Sequence, residues 1–228
     1  MKLAERYSQN SEKRRKEFVR SFIISLLLFL AFLIATVSVY RHGFLDHIDQ
    51  DIVKIKRHTF KGMSSHILLA IDDLGLRGFT ATVLLITAVL VALKKRSYRP
   101  VNLSVISLLA LNGVVGIAKL SIGRTKPRLH TDLVHSIGLS YPSGHAANAL
   151  ISWGLLAYLL VTFFDIPWLR KSWLYSLVGV MTLSVCTVSL MRNTHWFSDL
   201  FGGVLLGGSI LVAIVAIDRF FPSQKQVR

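Results

Sequence analysis

Six stretches of this chain contain no Asp, Glu, Lys or Arg: residues 21–40, 78–93, 100–118, 146–164, 172–191 and 200–217. They are 20, 16, 19, 19, 20 and 18 residues long. A helix crossing the hydrocarbon core needs ~20 apolar residues, within a range of about 17–25. Each run, once in lipid, must satisfy its own backbone polar groups, and a helix does so. The predicted fold is therefore all-α, an integral membrane bundle of six transmembrane helices. Composition agrees, with 52% hydrophobic and 17% charged residues, where a soluble domain carries about a quarter charged. Disorder, a coiled coil and a soluble α/β enzyme are excluded. The charge pattern divides the chain into a basic leader (1–20), a membrane domain (21–217) and a short tail (218–228).

The formal net charge of +15 raises nucleic acid as a partner, but the distribution argues against it, because the cations sit between apolar runs. With the N-terminus inside, 16 Lys and Arg fall on that side and 11 on the other. Setting aside five outer cations assigned to a site below, the comparison becomes 16 to 6, a positive-inside bias. Both termini are expected in the cytoplasm of a multi-pass protein of the cell inner membrane. The first apolar run is too long for a signal-peptide core of ~7–15 residues, so it reads as an uncleaved anchor. Its leader, with Lys13-Arg14-Arg15-Lys16, either meets anionic headgroups or simply sets topology. Cys186 is the single cysteine, which excludes an intrachain disulfide and a cysteine metal cluster.

Residues 41–77 form the first outer loop. The spacing of Ile48, Ile52 and Ile55 predicts an amphipathic helix on the membrane surface, and Met63 to Leu74 predicts a second short interfacial helix that would also lengthen the second span. Nothing in this loop reads as catalytic, and His42, His47, His58 and His66 lack metal-ligand spacing.

Three polar clusters close the outer ends of spans three to six, so topology brings them to one face. Lys119, Arg124, Lys126 and Arg128 place four cations within ten residues, donors without acceptor capacity that suit a phosphate. Pro142-Ser143-Gly144-His145 opens the fourth span, where a helix start offers free N–H groups and a positive dipole end. His145 can move a proton near neutral pH. His195 and Asp199 stand four apart, so a helical stretch would let the carboxylate orient the imidazole. That is the nucleophile-and-orienter arrangement of covalent catalysis. Each cluster alone has an ordinary reading: lipid anchoring, a helix start, an interhelical hydrogen bond. Their joint occurrence on one side favours a site.

In these motifs the chain resembles the type-2 phosphatidic acid phosphatase family, which includes relatives of the vanadium haloperoxidases. That family's pattern is Lys, six residues, Arg-Pro; then Pro-Ser-Gly-His; then Ser-Arg, five residues, His, three residues, Asp. Here Lys119 precedes Lys126-Pro127 by six residues, and Pro142-Ser143-Gly144-His145 and His195-xxx-Asp199 match throughout. Lys126 replaces an arginine, keeping charge without bidentate geometry. The Ser-Arg pair is missing: Val188 and Ser189 occupy its positions, and the nearest arginine is Arg192, about one helical turn on. Arg192 is expected to substitute as phosphate ligand.

The resemblance implies a metal-independent lipid phosphatase without a cofactor, acting at the outer face through a phosphohistidine. His195 is the expected nucleophile, Asp199 its orienter and His145 the acid and base. Lys119, Arg124, Lys126, Arg192 and the Ser143 and Gly144 amides are the expected phosphate ligands. Arg128 is an accessory headgroup contact and Asn148 a support for the helix start. The substrate is expected to be a membrane lipid phosphate: phosphatidic acid, phosphatidylglycerophosphate, undecaprenyl pyrophosphate or lipid A. No obligate protein partner is evident. A phosphotransferase between lipids and a non-catalytic lipid-binding or transport protein are the alternatives. Both histidines and Asp199 argue against the latter, since binding alone needs no nucleophile.

Overall fold

The computed structural model describes residues 2–55, 62–127, 139–164 and 171–221. Eight helices occur among them: α1 (Lys2–Tyr40), α2 (Phe44–Lys54), α3 (Met63–Asp73), α4 (Arg77–Lys95), α5 (Arg99–Ile122), α6 (Gly144–Phe163), α7 (Lys171–Met191) and α8 (Phe197–Phe220). Six of these are long and apolar enough to cross a membrane: α1 from Ser11 onward, α4, α5, α6, α7 from Ser172, and α8. Each contains one of the six uncharged stretches, except that α6 stops at Phe163, one residue short of the end of its stretch. The helices overrun those stretches because a charged residue ends the apolar run without breaking the backbone ladder. The leader is thus a helical extension of the first span, and α8 continues through Asp218 and Arg219.

α6 is the central helix, packed by α4, α5, α7 and α8. Its apolar window is 61% buried, whereas the α1 and α4 windows are only 22% buried. Ile151, Leu155 and Leu159 of α6 meet Leu84, Leu111 and Leu206 in the core. Large side chains such as Ile34, Leu109 and Leu183 stay exposed at 71%, 69% and 67%. That surface suits lipid, where exposed apolar faces carry no hydration cost.

Two contacts fix the helices around the future site. α1 lies along α8, and Ser25 and Ser209 exchange reciprocal 2.9 Å hydrogen bonds from hydroxyl to carbonyl. α8 approaches the start of α6 through glycine: a Cβ at Gly203 would stand 2.5 Å from the Ser143 carbonyl oxygen. Only a residue without a side chain permits that approach, as in small-residue interfaces of membrane helices.

Both short helices expected between the first two spans are present as α2 and α3. α3 does not lengthen the second span. The chain breaks at Leu74–Leu76, where Gly75 packs so closely that a Cβ would lie 2.8 Å from the His145 carbonyl oxygen. The second span reaches 19 residues as α4 alone.

Candidate active site

α5 ends at Gly123, whose φ of +65° caps the helix while its N–H bonds the Lys119 carbonyl at 3.0 Å. A left-handed glycine here reverses the chain at little steric cost. Lys119 therefore sits in the last turn, and Arg124 to Lys126 fold back beneath the helix end. The Lys119 ammonium donates to the Leu139 carbonyl at 2.6 Å. Residues 125 and 139 form an isolated antiparallel bridge, and Ser140 N–H bonds the Arg124 carbonyl at 2.7 Å. Lys119, Arg124 and Thr125 are thus tied to the residues that lead into α6. Arg128, between them, and His58 lie outside the described residues.

Ser143 is the N-cap of α6, its hydroxyl accepting from the Ala146 N–H at 3.4 Å. Its own N–H donates to the Asp199 carbonyl at 2.8 Å. That bond joins the Pro-Ser-Gly-His turn directly to the His-xxx-Asp turn. It also corrects one expectation: the Ser143 amide already has an acceptor, and the hydroxyl is the cap. The first-turn donors facing the site are the Gly144 and His145 amides, which a helix leaves without an internal partner. Asn148 supports this turn as expected, donating to the Gly144 carbonyl at 2.7 Å.

The His145 and His195 ring centroids are 6.1 Å apart. The two side chains are thus neighbours, close enough to act on one phosphoryl group. His195 Nδ1 lies 3.3 Å from Asp199 Oδ2, so Nε2 is the ring nitrogen left for chemistry. The pairing does not come from a shared helix face. His195 precedes the N-cap, Trp196, and Asp199 at the third helical position folds back, accepting from the Trp196 N–H at 3.0 Å. A capping box, rather than an i,i+4 helical pair, brings carboxylate to imidazole. Lys119, Lys126 and Asp72 are also within electrostatic reach of His145. Tyr141, fully buried, shares a 2.9 Å hydrogen bond with Thr36 of α1. Burial pushes its hydroxyl up to about 12, so it stays neutral and holds α1 to the turn before α6.

Arg124 departs most from expectation. One of its terminal nitrogens donates to Ser198 Oγ at 2.6 Å and Asp199 Oδ1 at 3.3 Å. The other donates to Asp46 at 3.0 Å and Asp49 at 2.8 Å. The guanidinium also lies 4.8 Å from the Trp196 ring centroid. Asp49 is 1% exposed and Asp199 fully buried, and Asp49 further accepts from the Ser198 N–H and hydroxyl at 2.9 and 2.5 Å. Arg124 is thus turned away from an incoming phosphate, behind Asp199. Two of its three carboxylate partners, Asp46 and Asp49, come from α2, in the loop that reads as non-catalytic.

Arg192 also has a carboxylate partner. Its guanidinium does not enter lipid but donates to Asp72 of α3 at 2.5 Å, and Ser189 donates to the other Asp72 oxygen at 2.9 Å. Ser189, at the position of the absent family arginine, therefore shares one buried carboxylate with Arg192. Asp199 is not the only acid of the region: Asp46, Asp49 and Asp72 complete it. One sequence signal pointed to Asp49, a charge flanking the Ile48–Ile52 apolar stripe; nothing local marked Asp72.

The PAP2 superfamily profile matches residues 100–221. The chain belongs to the PAP2 superfamily. Its match takes in all three motif clusters. Among curated relatives, phosphatidylglycerophosphatase B of Bacillus subtilis (strain 168) is 27% identical over 198 residues, which is 84% of this chain and 93% of the relative. The crystal structure of a transmembrane PAP2-type phosphatidylglycerolphosphate phosphatase from Bacillus subtilis superposes with a TM-score of 0.78. It covers 88% of this chain and 98% of that one at 22% identity, and so bears on the fold. The six-span architecture of this PAP2 protein is that of its solved relative.

Proposed function

We propose that this PAP2 protein is a membrane lipid phosphatase that works through a phosphohistidine. The observation that carries the reading is the pairing of two neighbouring histidines, His145 and His195, with ring centroids 6.1 Å apart, and Asp199 on Nδ1 of His195. Asp199 keeps the proton on Nδ1, so the Nε2 lone pair attacks phosphorus in line. The bond to the leaving alkoxide breaks as His145 gives it a proton. His145 then takes a proton from water, whose oxygen attacks the phosphohistidine and releases inorganic phosphate. Lys119, Lys126, Arg192 and the Gly144 and His145 amides hold the phosphoryl oxygens as charge develops. Arg124 acts through Asp199.

The name of the Bacillus relative makes phosphatidylglycerophosphate the first substrate to test, ahead of phosphatidic acid, undecaprenyl pyrophosphate and lipid A. The purified protein should release phosphate from this panel with chelator present. Failure to release it from any lipid phosphomonoester or pyrophosphate rejects the reading. The charge bias of 16 to 6 supports an outward-facing site, with both termini in the cytoplasm of the inner membrane. Reporter fusions that placed residue 130 in the cytoplasm would overturn that orientation.

A further inference from the structure

The end of the bundle remote from the histidines carries a feature that catalysis does not use. The cationic stretch of α1 just ahead of its apolar run packs on the last turn of α8, with the Phe18 and Phe220 ring centroids 4.7 Å apart. Between the two helices lies a cavity of about 320 Å³, lined by Arg14, Arg20 and Arg219 with Phe18, Ile24 and Phe220. That volume is at the lower end of small-ligand sites, ~300–1,000 Å³. One carboxylate, Glu17, also lines it. The neighbouring Asp218 points elsewhere, into a 2.6 Å ion pair with Arg99 and a 2.6 Å hydrogen bond from Tyr158. Three guanidiniums against one carboxylate leave the cavity doubly positive.

Its depth is set by the sequence. Arg20 directly precedes the uncharged stretch 21–40, so the cations stand at the membrane surface and Ile24 stands one turn into the apolar region. Thr36, which meets Tyr141 beside the catalytic turn, is sixteen residues further along α1, or about 24 Å at 1.5 Å per residue. The cavity therefore faces the leaflet opposite the histidines. Below it α1 presents Ile24 and Leu27, 41% and 60% exposed.

We propose that this cavity binds the headgroup of an anionic phospholipid of the leaflet opposite the catalytic site. Arg14, Arg20 and Arg219 hold the phosphate, and the acyl chains run along Ile24 and Leu27. A free anion would use the cations but not the apolar wall below them. Basic pockets between helix ends at a membrane surface suit such a lipid.

The test is native mass spectrometry of the full chain with phosphatidylglycerol and phosphatidylcholine. Wild type should keep one phosphatidylglycerol and no phosphatidylcholine. R14Q/R20Q/R219Q should weaken that retention about fivefold per arginine, near a hundredfold in all. K13Q/R15Q/K16Q removes equal charge from the same turns outside the cavity and should change retention by no more than about threefold. Should the first variant fail to fold, R219Q alone, at an exposed position, should still show the fivefold loss. Equal loss in both triple variants means diffuse attraction only and overturns the proposal. So does loss in K119Q/K126Q, which places the lipid in the catalytic site, or displacement by millimolar inorganic phosphate, which makes the ligand a free anion.

Discussion

Arg124→Ala separates two roles that look alike in sequence. As a phosphate ligand, Arg124 would contribute to turnover and little to stability. The structure instead places it among Asp46, Asp49 and Asp199, with its own side chain only 13% exposed. Removing it leaves Asp49 and Asp199 as buried charges without their cation. Breaking a buried pair in this way costs about 3–5 kcal/mol. For a chain of this size each kcal/mol shifts the unfolding midpoint by about 2–4 °C, so a fall of about 6 °C or more is expected. Thermal unfolding in detergent, followed by tryptophan fluorescence, reads that shift; phosphate release reads activity. Arg124→Met combined with Asp46→Asn and Asp49→Asn should recover part of the lost stability, because it removes the orphaned charges. Turnover should stay low in that variant, since Asp199 then lacks the cation behind it. The reasoning is refuted if Arg124→Ala lowers turnover a hundredfold while leaving the midpoint unchanged.

His195→Ala and His145→Ala should each abolish turnover without unfolding the protein. His145→Ala should recover part of its activity on a substrate with a good leaving group, which needs no proton, and equal loss on all substrates would contradict the acid role. Arg192→Ala should cost about 2–4 kcal/mol of transition-state stabilisation, read as a drop in kcat/KM, and Arg192→Lys should restore only part; turnover within threefold of wild type would mean that Arg192 serves only Asp72. Saturating EDTA should leave phosphate release intact, and activity lost to chelator and restored by a divalent ion would overturn the metal-independent mechanism.

The six spans, the two interfacial helices and the motif residues were legible because each depends on local properties. Hydropathy and charge act residue by residue along a helix in lipid, and Pro142-Ser143 and Gly123 mark helix ends through their own backbone preferences. The chain order of the clusters then placed His145, His195 and Asp199 on one face. What lay beyond reach was the choice of partner. In the sequence Arg124 and Arg192 read as phosphate ligands, yet each is bound by a carboxylate some 75 to 120 residues away. Asp49 and Asp72 belong to short helices whose pattern does not say which cations they meet. Even the His195–Asp199 pair, recognised from its spacing, forms through a helix cap and not along a helix face. Buried ion pairs are selected by which charges the packing excludes from water together. That selection rests on close approaches, Gly203 to Ser143 and Gly75 to His145, that only the tertiary structure decides.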